Sequence, residues 1–360
     1  MVEAGDSSGP VARVRAGGAD RDGLLAGCPL ALAWLGLLGD LGRSPRTVDA
    51  YARSLVDFLG FCERAGLDAL TVSRGELAGY VRDLRERPGA RGANVVALDS
   101  GAGLSNATLQ LRLTAVRLFY DHLVEEGVRD RNPVARGRYR PGRWATGSER
   151  GLVRRTSRLP WIPTDAQWQR LLAVAREEPI RNRLMLALAY DAGLRREELC
   201  LLASDDVDPA HRTLRIRPET TKSGRGRVVS YSASAGELLV GYLRHRRTLT
   251  RSRGALFVSE SRRNRGEPIT PWTWSKVVRA IALRAQLPAF STHTLRHLCL
   301  TDLARSGWEL HQIATFAGHQ STQTTLQYIH LSGRELAARL QVGMAQIHAE
   351  RVAQISELLG

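Results

Sequence analysis

The residues best placed to do chemistry lie near the C-terminus, in Ser291-Thr-His-Thr-Leu-Arg-His-Leu298 and from Ala317-Gly-His319 to Tyr328. His293, Arg296 and His319 can each donate a hydrogen bond to a phosphate oxygen, and the phenol of Tyr328 can attack phosphorus. His293 and Arg296 are three residues apart, so on a helix they share one face. Leu298, Leu300 and Leu303 continue that helix as an apolar run. Ile313 to Ala317 reads as a short helix stopped at Gly318, which leaves His319 exposed just past the turn. Ser321 is placed to cap the segment that carries Thr324, Thr325 and Tyr328. Singly, these are ordinary core histidines and an amphipathic tyrosine. Together they make a phosphate site with a nucleophile beside it.

Two upstream stretches extend the set. In Ala192-Gly-Leu-Arg-Arg-Glu-Glu-Leu199, Gly193 ends a mostly apolar helix that begins at Arg181, and Arg195 follows near a surface. Glu198, one turn on, can orient Arg195 by charge-assisted bonds. The plainer alternative is an intrahelical ion pair contributing about 0.2–0.5 kcal/mol. Lys222 lies between two alternating stretches, Thr213 to Arg217 and Arg227 to Tyr231, which read as a hairpin with a basic, glycine-containing tip.

Arg195, Lys222, His293-x-x-Arg296, Gly318-His319 and Tyr328, in that order, resemble the signature of the tyrosine recombinases, or phage integrase-type recombinases. No position of the signature departs from it, and the resemblance covers about residues 44–331. It implies a site-specific DNA recombinase or integrase, or a transposase of this family. Arg195 and Arg296 then clamp the non-bridging oxygens of a phosphodiester through planar, permanently charged forks. His293 accepts or shuttles the proton of Tyr328, or binds phosphate, and His319 donates to a non-bridging oxygen. Lys222 protonates the departing 5′-oxygen. Tyr328 is the nucleophile and forms a 3′-phosphotyrosyl link. That link keeps the bond energy, so rejoining needs no ATP. Side-chain charge takes the place of a metal, and no cofactor is expected.

The fold the resemblance implies is mainly α with a small β-hairpin or sheet. An N-terminal helical bundle, the SAM-like core-binding domain, precedes an α/β catalytic domain. The implied partner is double-stranded DNA with specific recombination sites. The chain is expected as a monomer in solution that assembles as a tetramer, or as dimers, on that DNA. Two other classes use parts of the same pattern. A type IB topoisomerase-like enzyme would relax plasmid without a specific site, and a DNA-binding regulator would bind without forming an adduct.

Composition agrees with a polyanion partner. The 360 residues carry 52 Lys+Arg against 36 Asp+Glu, a formal net charge of +16. An arginine-rich soluble protein with no such partner has the same balance, so the charge alone does not decide. The length suggests about two domains. Cys28, Cys62, Cys200 and Cys299 are scattered without a C-x-x-C pair, which argues against a zinc site and for reduced thiols in a cytoplasm; the resemblance implies a bacterial cytoplasm, with the chain associated with the nucleoid. The most apolar run, Cys28 to Leu38, is too short to span a bilayer and reads as a packed helix.

The elements that must position the site follow from capping and periodicity. Residues 1–27 lack periodicity and read as a flexible arm; residues 28–128 read as the helical domain. Ser44-Pro45 opens a helix with Val48, Tyr51, Leu55, Phe58, Leu59 and Cys62 on one face. Ser73-Arg-Gly-Glu76 is a capping box that opens a second, and Ser105 opens a third. Arg46, Arg112 and Arg117 project from these helices as candidate DNA contacts. Residues 129–160 crowd arginines, among them Arg138, Arg140 and Arg143, with glycine and proline, and read as a basic linker along the DNA backbone. Pro163-Thr164-Asp-Ala-Gln167 is a second capping box that opens the catalytic domain, 161–331. Pro271 to Ala285 is a helix on which Lys276 and Arg279 can face DNA. Residues 332–360 form an amphipathic tail that packs back on its own domain or docks on a neighbouring subunit.

Overall fold

The computed structural model describes residues 19–87, 103–134, 152–153, 159–221, 223–326, 328 and 344–351. The chain divides into two compact units, residues 1–157 and 158–360. Lys222, Arg138, Arg140 and Arg143 lie outside the described residues, as does most of the C-terminal tail; residues 344–351 of the tail are helical.

The first unit contains five helices among its described residues: α1 (Ala19–Ala26), α2 (Pro29–Asp40), α3 (Pro45–Arg64), α4 (Arg74–Glu86) and α5 (Asn106–Glu125). The capping residues start them as their chemistry dictates. The Ser44 hydroxyl accepts from the Thr47 amide at 3.3 Å. The Ser73–Glu76 box closes in both directions, at 2.7 and 3.3 Å, and the Ser105 hydroxyl accepts from the Thr108 amide at 3.3 Å. Phe58, Tyr80, Phe119 and Tyr120 are fully buried and pack edge-on or tilted around one another, with Trp34 of α2 against Phe119. Each such side chain removed from water contributes about 1.5–3 kcal/mol.

Three expectations change here. The segment read as a structureless arm becomes helical from Ala19, and α1 packs on α2 and α3. The segment read as linker from Arg129 begins folded. Its guanidinium lies over the Tyr120 ring and donates to the Val72 carbonyl at 3.0 Å. Asn132 then ties the chain to α5 through the Arg117 carbonyl and the Asp121 carboxylate, and Val134 and Val153 are buried in the core. Charge density in the sequence hid the two valines that anchor the segment. Arg112, expected to face DNA, instead pairs with Asp57, which also accepts from Tyr80 and Arg87. A half-buried carboxylate needs those donors, and its pKa is lowered by them against the opposing effect of burial. Arg117 is half-buried, with its Nε shielded from solvent, whereas Arg46 is exposed on the first turn of α3.

The second unit is built around α7 (Ile180–Asp191). Leu184, Met185, Leu186, Leu188 and Ala189 are all buried, so this helix is apolar nearly all round, as a central helix must be. It packs against α9 (Ala233–Leu249) and α11 (Thr292–Arg305). The flanking elements are α6 (Asp165–Ala175), α8 (Arg196–Cys200), α10 (Pro271–Arg284) and α12 (Leu310–Ala317). A small antiparallel sheet has the order β1 (Val207–Asp208), β2 (Thr213–Ile216), β3 (Arg227–Ser230). In its register Thr213 faces Ser230 and Ile216 faces Arg227. No described helix is long and apolar enough to cross a membrane.

Candidate active site

Two helix ends create the site. α7 and α12 each run into a glycine in the left-handed region, Gly193 at φ 53° and Gly318 at φ 62°. Both close with the same pair of backbone bonds, the second spanning five residues: Leu194 to Ala189 and His319 to Ala314. A side chain would also be crowded at both positions. A Cβ at Gly193 would meet Phe316 at 3.0 Å, and one at Gly318 would meet the Arg227 guanidinium at 3.1 Å. The turns aim carbonyl oxygens at arginines. Arg296 donates to the Gly193 and Ala317 carbonyls at 2.5 and 2.6 Å, and Arg195 donates to the Gly318 carbonyl at 3.2 Å.

Arg195 stands at the N-terminus of α8, where Glu198 accepts both from its amide, at 2.9 Å, and from its guanidinium, at 2.7 Å. The same carboxylate receives both Nη atoms of Arg227 from β3, at 3.1 and 2.8 Å. Arg227 also donates to the Phe316 carbonyl at 2.9 Å, and so fastens sheet, α8 and α12 together. Sequence reasoning passed over Arg227; its only signal was an arginine on the core-facing end of an alternating strand. Burial opposes ionisation of Glu198, but the Arg227 bonds and charge, with those of Arg195, bring its pKa down to about 2.

That shift makes a prediction. The carboxylate has a depressed folded pKa, so its stabilisation is fully present above about pH 4.5 and is lost as pH falls toward about 2. Glu198→Gln leaves two guanidiniums without their anion and should cost the second unit about 3–5 kcal/mol at pH 7. Its unfolding should also lose the acid-side dependence in that window. Denaturant unfolding at several pH values checks this, and a variant as stable as wild type at pH 7 would remove Glu198 as the keystone.

Arg296 is 4 % exposed. Burial, and then the neighbouring Arg195 charge, pull its pKa down to about 10, so it stays protonated at neutral pH. Its Nη2 lies 3.0 Å from Nε2 of His319, whose Nδ1 lies 2.9 Å from the Thr325 hydroxyl. A guanidinium only donates, so Nε2 accepts and Nδ1 carries the hydrogen donated to Thr325. Burial, then Arg296, Arg195 and Arg227, hold the His319 pKa at about 4. His319 was expected to be exposed; it is half-buried beneath Arg296.

Tyr328 is 1 % exposed, packed with Leu300, Ile313 and Ala317. Its ring runs parallel to that of His319, centroids 6.2 Å apart. The histidine that reaches its hydroxyl is His297, with Nδ1 at 3.0 Å. His293, the expected partner, is exposed on the outer turn, one ring further away at 6.5 Å from His297. Partial burial and the Arg196 charge lower its pKa. His297 was written in the same motif, but four-residue spacing from His293 gave no reason to prefer it.

The structure therefore gathers Arg195, Glu198, Arg296, His319 and Tyr328 and adds Arg227 and His297. Arg195 and Arg227 share the Glu198 carboxylate and Arg296 is held by backbone carbonyls, which leaves the cluster net cationic. Lys222 is outside the described residues, but its neighbour Ser223 accepts from Gln320, next to His319, at 3.2 Å. On α10, Lys276 and Arg279 are exposed, and the Lys276 ammonium sits 3.5 Å from the centroid of the exposed Trp272 ring.

Comparison with known proteins agrees with this geometry. Residues 163–335 match the phage integrase family, and residues 34–127 match its N-terminal SAM-like domain. The chain is 31% identical over 298 residues to tyrosine recombinase XerC of Azotobacter vinelandii, covering 82% of this chain and 88% of that protein. It is 29% identical over 318 residues to XerD of Corynebacterium glutamicum, covering 85% and 95%. Its fold is similar to that of XerH site-specific recombinase in a post-cleavage complex on a palindromic difH substrate, with a TM-score of 0.62, 19% identity, and coverage of 82% and 80%. It is equally similar to the Tn1549 transposon integrase in complex with a circular intermediate DNA, at TM-score 0.62, 16% identity, and coverage of 84% and 94%. With its arginines, histidines and tyrosine gathered around the glycine-capped ends of two helices, the chain belongs to the tyrosine recombinase family, enzymes that cut and rejoin DNA.

Proposed function

We propose that this chain exchanges DNA strands at specific sites through a 3′-phosphotyrosyl intermediate on Tyr328. The observation that carries the reading is the net cationic cluster of Arg195, Arg227 and Arg296 with the single Glu198 carboxylate, and the Tyr328 hydroxyl beside it. A phosphodiester under attack gathers negative charge on its non-bridging oxygens, and fixed guanidiniums answer that charge without reorganising. Arg195 and Arg296 take the clamp roles, and His319 donates from Nε2 to a non-bridging oxygen once the arriving phosphate has displaced it from Arg296 and raised its proton affinity. Lys222, whose sequence neighbour Ser223 accepts from Gln320, protonates the departing 5′-oxygen. His293, at the exposed edge of the pocket, contacts phosphate.

DNA is held by the two units together, with Arg46 on the first and Lys276 and Arg279 on the second making contacts, and Arg138, Arg140 and Arg143 following the backbone between them. Helical domain, linker, catalytic domain and tail are assigned to residues 28–128, 129–160, 161–331 and 332–360, with the start of the linker folded onto the bundle. The chain acts on the bacterial chromosome or on a mobile element in the cytoplasm, as a monomer that assembles into dimers or a tetramer on DNA.

Arginine and lysine supply the charge that a metal supplies elsewhere, so cleavage and strand transfer should proceed unchanged in excess EDTA. The check is adduct formation on a nicked duplex with and without chelator. An absolute requirement for magnesium would contradict the assignment.

A further inference from the structure

We propose that His297 takes the proton of Tyr328, a role the family resemblance offered His293 as an alternative to binding phosphate. The inference rests on the phosphotyrosyl reading above. His297 lies on the inner face of α11, half-buried, with Nδ1 at 3.0 Å from the Tyr328 hydroxyl and the two rings 5.7 Å apart. Tyr328 is enclosed by Leu300, Ile313 and Ala317, and the parallel His319 ring limits where its hydroxyl can point. One turn on, Thr301 is fully buried and its hydroxyl donates to the His297 carbonyl at 2.8 Å. The helix backbone at His297 is thereby pinned, and Nδ1 stands within hydrogen-bond reach of the reacting oxygen, as the nitrogen of a general base must.

The groups facing it set its state. His293 and Arg296 flank it on its own helix, and His319 and Tyr328 face it from the segment after α12. Burial, then His293 and Arg296, hold the imidazole pKa at about 4, so the ring is neutral at pH 7, and in its Nε2–H tautomer Nδ1 accepts from the phenol. An arriving phosphodiester brings negative charge beside the ring and raises that pKa, which makes His297 a better base when DNA is bound. In the cleavage step the Tyr328 oxygen bonds to phosphorus and its proton passes to Nδ1 of His297. The bond from phosphorus to the 5′-oxygen breaks, its electron pair stays on that oxygen, and Lys222 protonates it. Rejoining runs the same transfers backwards, and His297 returns the proton to the phenol.

The test uses the full chain on a nicked duplex whose site is selected by the wild type from a randomised library, with adduct formation followed in single turnover. His297→Asn keeps an acceptor near Nδ1 but no basicity. At pH 7 it should be at least about a hundredfold slower than wild type, with DNA binding retained in a gel shift. Its rate should climb about tenfold per pH unit from 7 to 9, because only ionised phenol then attacks, while wild type changes less than about threefold. A 5′-bridging phosphorothiolate, which leaves without protonation, should not restore the variant. If Asn is not tolerated by the fold, His297→Gln is measured in the same way. The inference is overturned by a variant within about threefold of wild type, by a slow variant with the wild-type pH profile, or by rescue with the phosphorothiolate. Wild type that forms no adduct at all would sink the phosphotyrosyl reading itself.

Discussion

Tyr328→Phe is expected to abolish covalent DNA adducts while leaving DNA binding intact. The substitution keeps the ring against Leu300, Ile313 and Ala317 and removes only the hydroxyl. The substitution also removes the hydroxyl's bond with His297, a loss of about 1–3 kcal/mol for a buried polar group left unsatisfied. The chemical cost is complete, because a phenyl ring has no oxygen to attack phosphorus. Trapping on a nicked suicide duplex, read on a denaturing gel, separates the two, and a gel shift reports binding. Adducts that persist in the variant would show that another residue is the nucleophile.

Arg296→Lys and Arg195→Lys should each lose at least ~2.7 kcal/mol of transition-state stabilisation, about a hundredfold in rate, as single oxyanion donors do. Both keep a positive charge, so the expected loss comes from geometry. The guanidinium of Arg296 spans the Gly193 and Ala317 carbonyls and still reaches His319, and a single ammonium cannot replace that fork. Arg195 divides itself between Glu198 and the Gly318 carbonyl in the same way. Single-turnover cleavage of one duplex by wild type and both variants gives the ratio. Rates within a few-fold of wild type for both would take the clamp out of the mechanism.

Much of the fold was legible because its signals are local. Ser44-Pro45, Ser73 with Glu76, Ser105, and Thr164 with Gln167 announce helix starts by their own side chains, and α3, α4, α5 and α6 begin there. Gly193 and Gly318 announce helix ends in the same way. The hairpin read from alternation is β2 and β3, whereas β1 is too short, at two residues, to show a period. What escaped the sequence depends on distant partners. Arg112 looked like a solvent-facing cation until Asp57 came in from another helix. Val134 and Val153 looked like strays in a basic tract until they met the bundle core. At the site, residue types and order grouped Arg195, Glu198, Arg296, His319 and Tyr328. Which histidine touches Tyr328 depends on how α11 is turned toward it, and spacing carries no such information.

The way the C-terminal ends of α7 and α12 hold Arg296 has a thermodynamic consequence for reversibility. Arg296 is held by carbonyl oxygens, which carry only partial charge. A buried arginine fixed by a carboxylate would give up a full counter-ion each time phosphate arrived, and would reclaim it each time phosphate left. A helix C-terminus contributes about half an elementary charge, spread over several oxygens, so Arg296 keeps most of its field whether or not phosphate is bound. The diester before cleavage and the phosphotyrosine after it then meet the same donors at nearly the same potential. Under the proposed mechanism, Arg296 would therefore favour neither covalent state over the other.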